Sequence, residues 1–474
     1  MRTLVAVTTP TASDLAAATP ASRDRYVDFL RVAALGSVML GHYLMAGVLR
    51  GPGDQVIVTN SLVEVPPARI LTWVFQVMPV FFVVGGFSNA TALHSLHRRG
   101  GGYADFALSR CRRLLEPTLA FVTFAVLAAV LVEVSGPTNT SVEFALRLIG
   151  QPLWFVGIYL FVVAMAPFML RLHERYGLVI IVVLVVAVAV VDVLRLGFDV
   201  PLIGYLNFLT VWLAIHQIGF FYADGRLLRA PVAWSMAVGG GLAAIALVGL
   251  LPYPLSMVSL PGESVSNLAP PSLALLALGV AQIGILVLVR DPANRWLSRR
   301  RVWTVVVAAN GVVMTAFLWH LTAIVVVNAV LVETGLPTPA IGSVAWWFGR
   351  LLIFPLVVLV LAGLVAVFRR FEAPHPTEVP APQLRHPHRG GWAVLGVVLA
   401  TFGILGFSMT GFTGITTFET QTLVVVPVTP FLNLALLLSG WWIVQFAAAP
   451  RRRSARSVGP SAAAGPTSGR DHSR

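Results

Sequence analysis

Long apolar runs, separated by short polar stretches, repeat along the whole of this 474-residue chain. A run of about 20 residues crosses the hydrocarbon core of a bilayer as a helix, because a helix satisfies its own backbone hydrogen-bonding groups. The pattern predicts an all-α polytopic integral membrane protein with a ten-helix core and two extra C-terminal membrane helices. The predicted spans are residues 28–49, 69–93, 114–134, 152–170, 178–195, 202–222, 231–252, 271–289, 303–331, 345–368, 392–411 and 425–447.

The stretches around these spans divide the chain into five parts. Residues 1–22 are polar, hold no apolar run long enough for a signal peptide, and are predicted to be a disordered cytoplasmic N-terminus. Residues 23–370 are predicted to form the ten-helix membrane core. A Pro- and His-rich cytoplasmic linker over 371–390 leads to the two additional membrane helices in 391–448. The tail over 449–474 is basic and of low complexity, which predicts a disordered cytoplasmic segment.

The distribution of arginines sets the predicted orientation. The chain has no lysine, so arginine supplies all 33 of its basic residues. When the N-terminus is placed in the cytoplasm, only five arginines fall on the outer side, namely Arg50, Arg69, Arg147, Arg195 and Arg350. This asymmetry predicts that both termini are cytoplasmic. It also accounts for the net charge of +13, so no nucleic-acid partner is needed to explain that charge.

Residue usage narrows the compartment and the cofactors. A lysine-free chain rich in Ala, Val and Arg is typical of high-GC bacteria, so we predict a bacterial plasma membrane. The single cysteine, Cys111, is predicted to lie in a cytoplasmic loop, which leaves no intrachain disulfide and no Cys-rich metal site. His94, His97 and the histidines of the linker are irregularly spaced in predicted loops, so we interpret them as solvated and predict no metal. The sequence leaves the oligomeric state open.

The first predicted span begins DFLRVAALGSVMLGHYLMAG and carries three ionisable residues in an otherwise apolar helix. Asp28, Arg31 and His42 share one helical face, because eleven residues make about three full turns. We expect Asp28 to pair with Arg31 and His42 to lie alone, deep in the outer half of the membrane. Two interpretations stay open: interfacial anchors with a packing histidine, or a functional site, since ionisable groups at membrane depth are costly.

The spacing of Arg31 and His42, with ten residues between them, resembles the opening signature of the membrane acyltransferase-3 family, which are bacterial integral membrane O-acyltransferases. Four later stretches resemble that family in the same order: MPVFFVVGGF over 78–87, RCRR over 110–113, LWFVGIYL over 153–160 and TAFLWH over 315–320. The resemblance covers about residues 25–370, so the last two spans lie outside it. Gly85 stands where the family has a serine, so a hydroxyl role at that position is lost.

The resemblance implies a catalytic role for His42, with Arg31 and Asp28 beside it. It implies that Arg110 and Arg113 bind the acyl-CoA donor, since arginine offers a bidentate fork to phosphate. Positive-inside topology is the other explanation for arginines at this place.

Three further residues are candidates for lining the same cavity as His42. Trp154 begins a span, where an interfacial aromatic belt also explains it. His320 follows a tryptophan in the middle of a span. Asn89 either lines the cavity or bonds to a neighbouring helix, and His216 in the sixth span is similarly divided between an acceptor path and helix packing.

Together these features predict a membrane acyltransferase that moves an acyl group, expected to be acetyl, from acyl-CoA to a hydroxyl of a cell-envelope carbohydrate or glycolipid. Acyl-CoA is a co-substrate, and no bound cofactor is expected. His42 would act as the general base, with a covalent acyl-histidine relay as the open alternative. The rival functions are a multi-pass transporter or lipid flippase, against which the lack of a visible repeat counts, and a non-catalytic membrane scaffold.

Overall fold

The computed structural model of the chain describes residues 11–20, 23–50, 56–136, 140–335, 339–372 and 387–448. Within these ranges the chain is a bundle of α-helices with two short antiparallel hairpins. The helices are α1 (Ala12–Ala17), α2 (Arg25–Met45), α3 (Ser61–Glu64), α4 (Thr72–Phe75), α5 (Met78–Arg98), α6 (Tyr103–Ser135), α7 (Thr140–Leu148), α8 (Leu153–Tyr176), α9 (Leu178–Gly197), α10 (Asn207–Ala223), α11 (Ala230–Leu250), α12 (Leu273–Leu288), α13 (Arg290–Leu297), α14 (Arg300–Asn310), α15 (Val313–Glu333), α16 (Val344–Phe368), α17 (Pro387–Thr410) and α18 (Pro430–Ala448). The strands are β1 (Ala46–Arg50), β2 (Val56–Asn60), β3 (Gln421–Leu423) and β4 (Val426–Val428).

The described part of the chain holds 11 helical segments that are long and apolar enough to cross a membrane. A twelfth is added if α12 and α13, which are bent by 55° relative to one another, are taken as one span. The predicted fold class, an all-α polytopic membrane protein, is confirmed. Most of the predicted linker, residues 373–386, lies outside the described residues, and so does the whole of the predicted tail, residues 449–474.

The first membrane helix, α2, ends earlier than the predicted span 28–49. Asp24 caps its start by accepting hydrogen bonds from two backbone amides of the first turn. The helix stops at Met45 because the following residues leave the helix and pair with β2 as an antiparallel hairpin. His42 therefore lies in the last turn of α2. We call the side of the bundle at which α2 begins its N side, and the opposite side its far side.

The helix that carries the RCRR motif begins well before the predicted span 114–134. Helix α6 starts at Tyr103, and the Asp105 carboxylate in its first turn caps this start by accepting a hydrogen bond from the Gly102 amide at 2.9 Å. The prediction that Cys111 lies in a loop is wrong, because this residue is buried within helix α6. The arginines interrupt the apolar run, so a prediction based on apolar runs places the start of this helix too late.

Three other expectations need correction. Part of the stretch 1–22, which is predicted to be disordered, forms helix α1; this helix packs against α14, and Thr19 accepts a hydrogen bond from the Trp303 indole at 2.9 Å. The span 303–331 is broken at Gly311, and the Glu372 carboxylate caps the start of α15 by accepting from two backbone amides. The span 425–447 starts only at 430, since the residues before it form the β3–β4 hairpin.

The two C-terminal membrane helices pack on the core. Helices α17 and α18 contact each other along their length, and both contact α6, while α17 also contacts α8. The fit is close at Gly157 of α8, where an added Cβ would lie 2.7 Å from the Leu405 side chain. The Glu133 carboxylate at the end of α6 accepts hydrogen bonds from the Ile415 and Thr416 amides at 3.1 and 2.9 Å. These helices are therefore joined to the helix that carries the arginine motif.

Candidate functional site

His42 on α2 and His320 on α15 meet in the core of the bundle. The His42 Nδ1 atom lies 2.7 Å from the His320 Nε2 atom, and the two rings lie edge to edge, with 13° between their planes and their centroids 5.0 Å apart. His320 is buried, with 1% of its surface exposed, and His42 is partly buried. The expectation that His42 lies alone is wrong, because sequence spacing cannot show that a residue nearly 280 positions away reaches it.

The hydrogen bonds around this pair assign its tautomers. The His320 Nδ1 atom also lies in short contact with the backbone carbonyl oxygen of Phe317, which can only accept. His320 Nδ1 must therefore carry the proton, and His320 Nε2 is then the acceptor in the neutral ring. It follows that His42 donates from Nδ1. The lone pair of His42 is left on Nε2, where it is available as a base.

Asp28 and Arg31 form the predicted pair near the start of α2, at 3.3 Å between Arg31 NH1 and Asp28 Oδ1. A second arginine, Arg23, is closer to the same carboxylate, with its Nε 2.5 Å from Asp28 Oδ2. The hydrogen bond to Asp28 raises the pKa of Arg23, which lies before the membrane helix. Asp28 is thus a shared anchor for two guanidinium groups, and this leaves the second nitrogen of Arg31 free to reach α5.

Ser88 of α5 connects Arg31 to the arginine motif. Arg31 donates to the Ser88 hydroxyl at 3.0 Å, and Arg110 donates to the Ser88 backbone carbonyl at 3.0 Å. Arg113, one turn further along α6, is exposed and lies within electrostatic range of Arg31. Three positive side chains from α2 and α6 therefore converge, and Arg31 lies roughly 16 Å along the helix axis from His42.

Asn89 contacts a neighbouring helix. Its amide nitrogen lies 3.1 Å from the His216 Nε2 atom of α10, and both residues are buried. An added Cβ on Gly86, which faces the same helix, would meet the His216 carbonyl oxygen, so α5 and α10 approach closely there. Asn89 and His216 thus hold two helices together, and neither contacts the histidine pair.

Trp154 lies in the first turn of α8 and is partly exposed. It connects to the histidine pair only through other rings. Its ring centroid lies 6.3 Å from that of Phe155, which lies 5.2 Å from Phe317, which in turn lies 5.5 Å from His320. Trp154 is therefore on the same aromatic cluster as the site but not in direct contact with His42.

Arg350 of α16 is a residue that the sequence reasoning assigned only to topology. It is 5% exposed and donates to the Tyr43 carbonyl oxygen at 2.6 Å and to the Ala46 carbonyl oxygen, both at the end of α2. The Tyr43 hydroxyl donates back to the Arg350 carbonyl oxygen at 2.5 Å, and the guanidinium carbon lies 4.6 Å from the centre of the Tyr43 ring. Arg350 therefore fixes the turn that carries His42. The sequence signal for such a role is a single arginine within an otherwise apolar membrane span.

Among the described residues, no group of three or more His, Cys, Asp or Glu side chains is arranged to hold a metal ion. The site consists instead of two histidines toward the far side and a cluster of arginines toward the N side.

Comparison with known proteins adds one finding. The sequence model of the acyltransferase-3 family, described as an acyltransferase domain, matches residues 24–369. That range includes α2 to α16 and leaves α17 and α18 outside. No curated protein and no solved structure matches the chain.

Proposed function

The chain belongs to the acyltransferase-3 family and is a multi-pass membrane protein with an acyltransferase domain, and from this premise we propose that it transfers an acyl group from acyl-CoA to a hydroxyl of a cell-envelope carbohydrate or glycolipid. Acetyl-CoA is the simplest donor. The bacterial plasma membrane, with both termini in the cytoplasm, is the proposed location, and acyl-CoA is proposed as a co-substrate with no resident cofactor.

The observation that carries the proposal is the pairing of His42 with His320. A nucleophile-activating base needs a second group that orients it, and His320 supplies that group through a 2.7 Å hydrogen bond. The Phe317 carbonyl oxygen fixes the tautomer of His320, so the base of the pair is His42 Nε2. A histidine that only filled space would not need this chain of acceptors.

In the proposed reaction, His42 Nε2 takes the proton from the acceptor hydroxyl as the hydroxyl oxygen attacks the thioester carbonyl carbon. The carbon–sulfur bond then breaks, and the CoA thiolate takes the proton back from His42. The products are an acyl ester and CoA. His320 holds the ring of His42 in place and accepts part of the positive charge through their shared hydrogen bond.

The arginines of the N side are proposed to hold the donor. Arg31, Arg110 and Arg113 present positive charge at one end of α2, and the nucleotide of acyl-CoA carries several phosphate charges. The separation of roughly 16 Å between Arg31 and His42 is to be bridged by the thin pantetheine arm. Asp28 supports the reaction by positioning Arg31 and does not touch the reacting atoms.

Transfer of radiolabelled acetyl from acetyl-CoA into alkali-labile esters tests the proposal. The full-length chain in nanodiscs is mixed with envelope membranes of its source, and His42→Ala is compared with wild type. We expect a loss of at least about 100-fold in His42→Ala. His94→Ala, a half-exposed histidine of α5 that pairs with Glu174 at 3.3 Å, serves as the matched control and keeps full activity.

Three results would contradict the proposal. Equal ester formation by wild type and His42→Ala removes the catalytic role of His42. Substrate uptake or lipid transfer across the membrane without ester formation favours the transporter or flippase, and unchanged envelope chemistry in a deletion strain favours the scaffold.

A further inference from the structure

One polar side chain lies between the arginines of the N side and the histidine pair. Tyr159 of α8 is partly exposed, and its hydroxyl has no hydrogen-bond partner among the described residues. Both Arg31 and Arg110 lie within electrostatic range of it. Tyrosine hydroxyls inside proteins usually have a hydrogen-bond partner. A donor and acceptor that the protein itself does not use therefore lies beside the arginines.

The ring of Tyr159 is held by buried aromatic side chains. It meets Phe81 and Phe82 edge to face, with ring centroids 4.9 and 5.7 Å apart. Its plane is inclined by 23° to that of Phe155, whose ring contacts lead through one further ring to His320. Because these neighbours hold the ring, the hydroxyl keeps one direction, and a ligand that reaches it meets a preorganised partner.

Gly85 of α5 gives the depth of this hydroxyl. A Cβ added to Gly85 would lie 2.8 Å from the Tyr159 ring and 3.0 Å from its hydroxyl oxygen, so the hydroxyl lies against the backbone of α5. Ser88, which accepts hydrogen bonds from both Arg31 and Arg110, lies three residues further along the same helix. Three residues correspond to about 4.5 Å along the helix axis. The hydroxyl is therefore about one turn away from the point where the arginines meet.

The direction of α5 places the hydroxyl on the way to the histidine pair. Helix α5 begins beside the end of α2, because a Cβ added to Gly41 would lie 3.9 Å from Phe75, just before α5. Residues near the start of α5 are therefore the nearer ones to His42. A donor whose nucleotide lies at the arginines and whose thioester reaches His42 passes the Tyr159 hydroxyl about one turn after the arginines.

The pantetheine arm of CoA has groups that a neutral hydroxyl binds. Between its pyrophosphate and its sulfur the arm carries a hydroxyl and two amides, and the first amide follows the phosphates by only a few bonds. An amide carbonyl accepts a hydrogen bond from a phenol, whereas phosphate is better served by the charged fork of arginine. The place and the chemistry of Tyr159 therefore both fit the arm.

We propose that the Tyr159 hydroxyl donates a hydrogen bond to the first amide carbonyl of the pantetheine arm, and so makes the enzyme selective for donors that carry this arm. This inference rests on the proposed function. The hydroxyl does not touch the reacting atoms, so Tyr159 is a binding residue. Its removal should weaken donor binding by about 3- to 10-fold, the effect of one neutral hydrogen bond, and leave kcat unchanged.

Binding of CoA and of free adenosine bisphosphate, the nucleotide part that lacks the arm, is measured by isothermal titration on the full-length chain in nanodiscs. Tyr159→Phe, which keeps the ring, should weaken CoA binding about 3- to 10-fold and leave adenosine bisphosphate within about twofold of wild type. Arg110→Met should weaken both ligands. Tyr205→Phe, at an exposed tyrosine just before α10, is the matched control and should change neither.

A hydroxyl supplied from the facing helix gives a second test. Tyr159→Leu removes the ring and the hydroxyl, and Gly85→Ser then supplies a hydroxyl at nearly the same place, since its Cβ would lie 3.0 Å from the lost oxygen. In the Tyr159→Leu protein, Gly85→Ser should restore CoA affinity by about threefold or more. Gly85→Ala, which adds the Cβ without a hydroxyl, should restore none.

Equal affinity of wild type and Tyr159→Phe for CoA would overturn this inference alone. Equal weakening of CoA and adenosine bisphosphate in Tyr159→Phe would assign the hydroxyl to the phosphate site and would also overturn it. So would an unchanged Kd for CoA with a raised KM for the acceptor, which assigns the hydroxyl to the acceptor. Failure of wild type to bind CoA would overturn the proposed function, and this inference with it.

Discussion

His42 and His320, from helices α2 and α15, are joined by a 2.7 Å contact between His42 Nδ1 and His320 Nε2. The Phe317 carbonyl oxygen fixes a proton on His320 Nδ1. His320 Nε2 is therefore the acceptor of the hydrogen bond when both rings are neutral. His42 donates, and its remaining nitrogen is a base. The catalytic account depends on this relationship more than on either histidine alone.

His320→Asn should lower kcat by about 10- to 100-fold and leave KM for acetyl-CoA nearly unchanged. The substitution removes the acceptor that orients His42 without touching the arginines that would bind the donor. Steady-state transfer kinetics measure both constants. A variant with reduced protein stability but normal kcat would show that His320 only packs.

Arg110→Met should raise the KM for acetyl-CoA by about tenfold or more and leave kcat within a few fold, since a charge-assisted hydrogen bond contributes about 1.5–3 kcal/mol. Arg112→Met is the control two positions further along the same helix, because Arg112 is exposed and forms no contact with the site within the described part of the chain. The same KM change in both variants would mean that the motif acts only as a general positive surface.

Gly86→Ala should lower the free energy of unfolding by about 1–3 kcal/mol, because its Cβ would meet the His216 carbonyl oxygen at the crossing of α5 and α10. Gly239→Ala, where an added Cβ meets no atom within 4 Å, should not destabilise the chain. Thermal unfolding in detergent compares them. Equal stability of the two variants would contradict the close helix crossing.

Arg350→Met should lower stability by about 1–3 kcal/mol, because the Tyr43 and Ala46 carbonyl oxygens lose a buried donor. It should also lower kcat, since the turn that carries His42 loses its anchor, and Arg350→Lys should restore part of both. Arg147→Met, which removes an exposed pair with Glu419, is the control and should cost no more than about 1 kcal/mol. A normal kcat in a stable Arg350→Met protein would show that Arg350 does not position His42.

The membrane fold could be predicted from the sequence because apolar runs of spanning length need no knowledge of tertiary contacts. The pair of Asp28 with Arg31 could also be predicted, because side chains three positions apart on one helix are neighbours whatever the tertiary packing. The early start of α6 could not, because charged side chains on one face hide a helix whose other face is buried.

The contact of His42 with His320 depends on how α2 packs against α15, and one sequence gives no measure of that packing. The same holds for Arg350, whose role follows from the crossing of α16 over the end of α2. In both cases the sequence indicated an unusual polar residue within a membrane helix. It did not indicate the partner.

A double-mutant cycle on the transfer reaction tests the central claim most directly. Acetyl transfer is measured for wild type, His42→Ala, His320→Ala and the double variant under the same conditions. If the two histidines act as one unit, the double variant is no slower than His42→Ala, because residues of a catalytic unit are strongly non-additive. If the double variant loses the product of the two single losses, the histidines act independently, and the account of His42 as a base oriented by His320 is wrong.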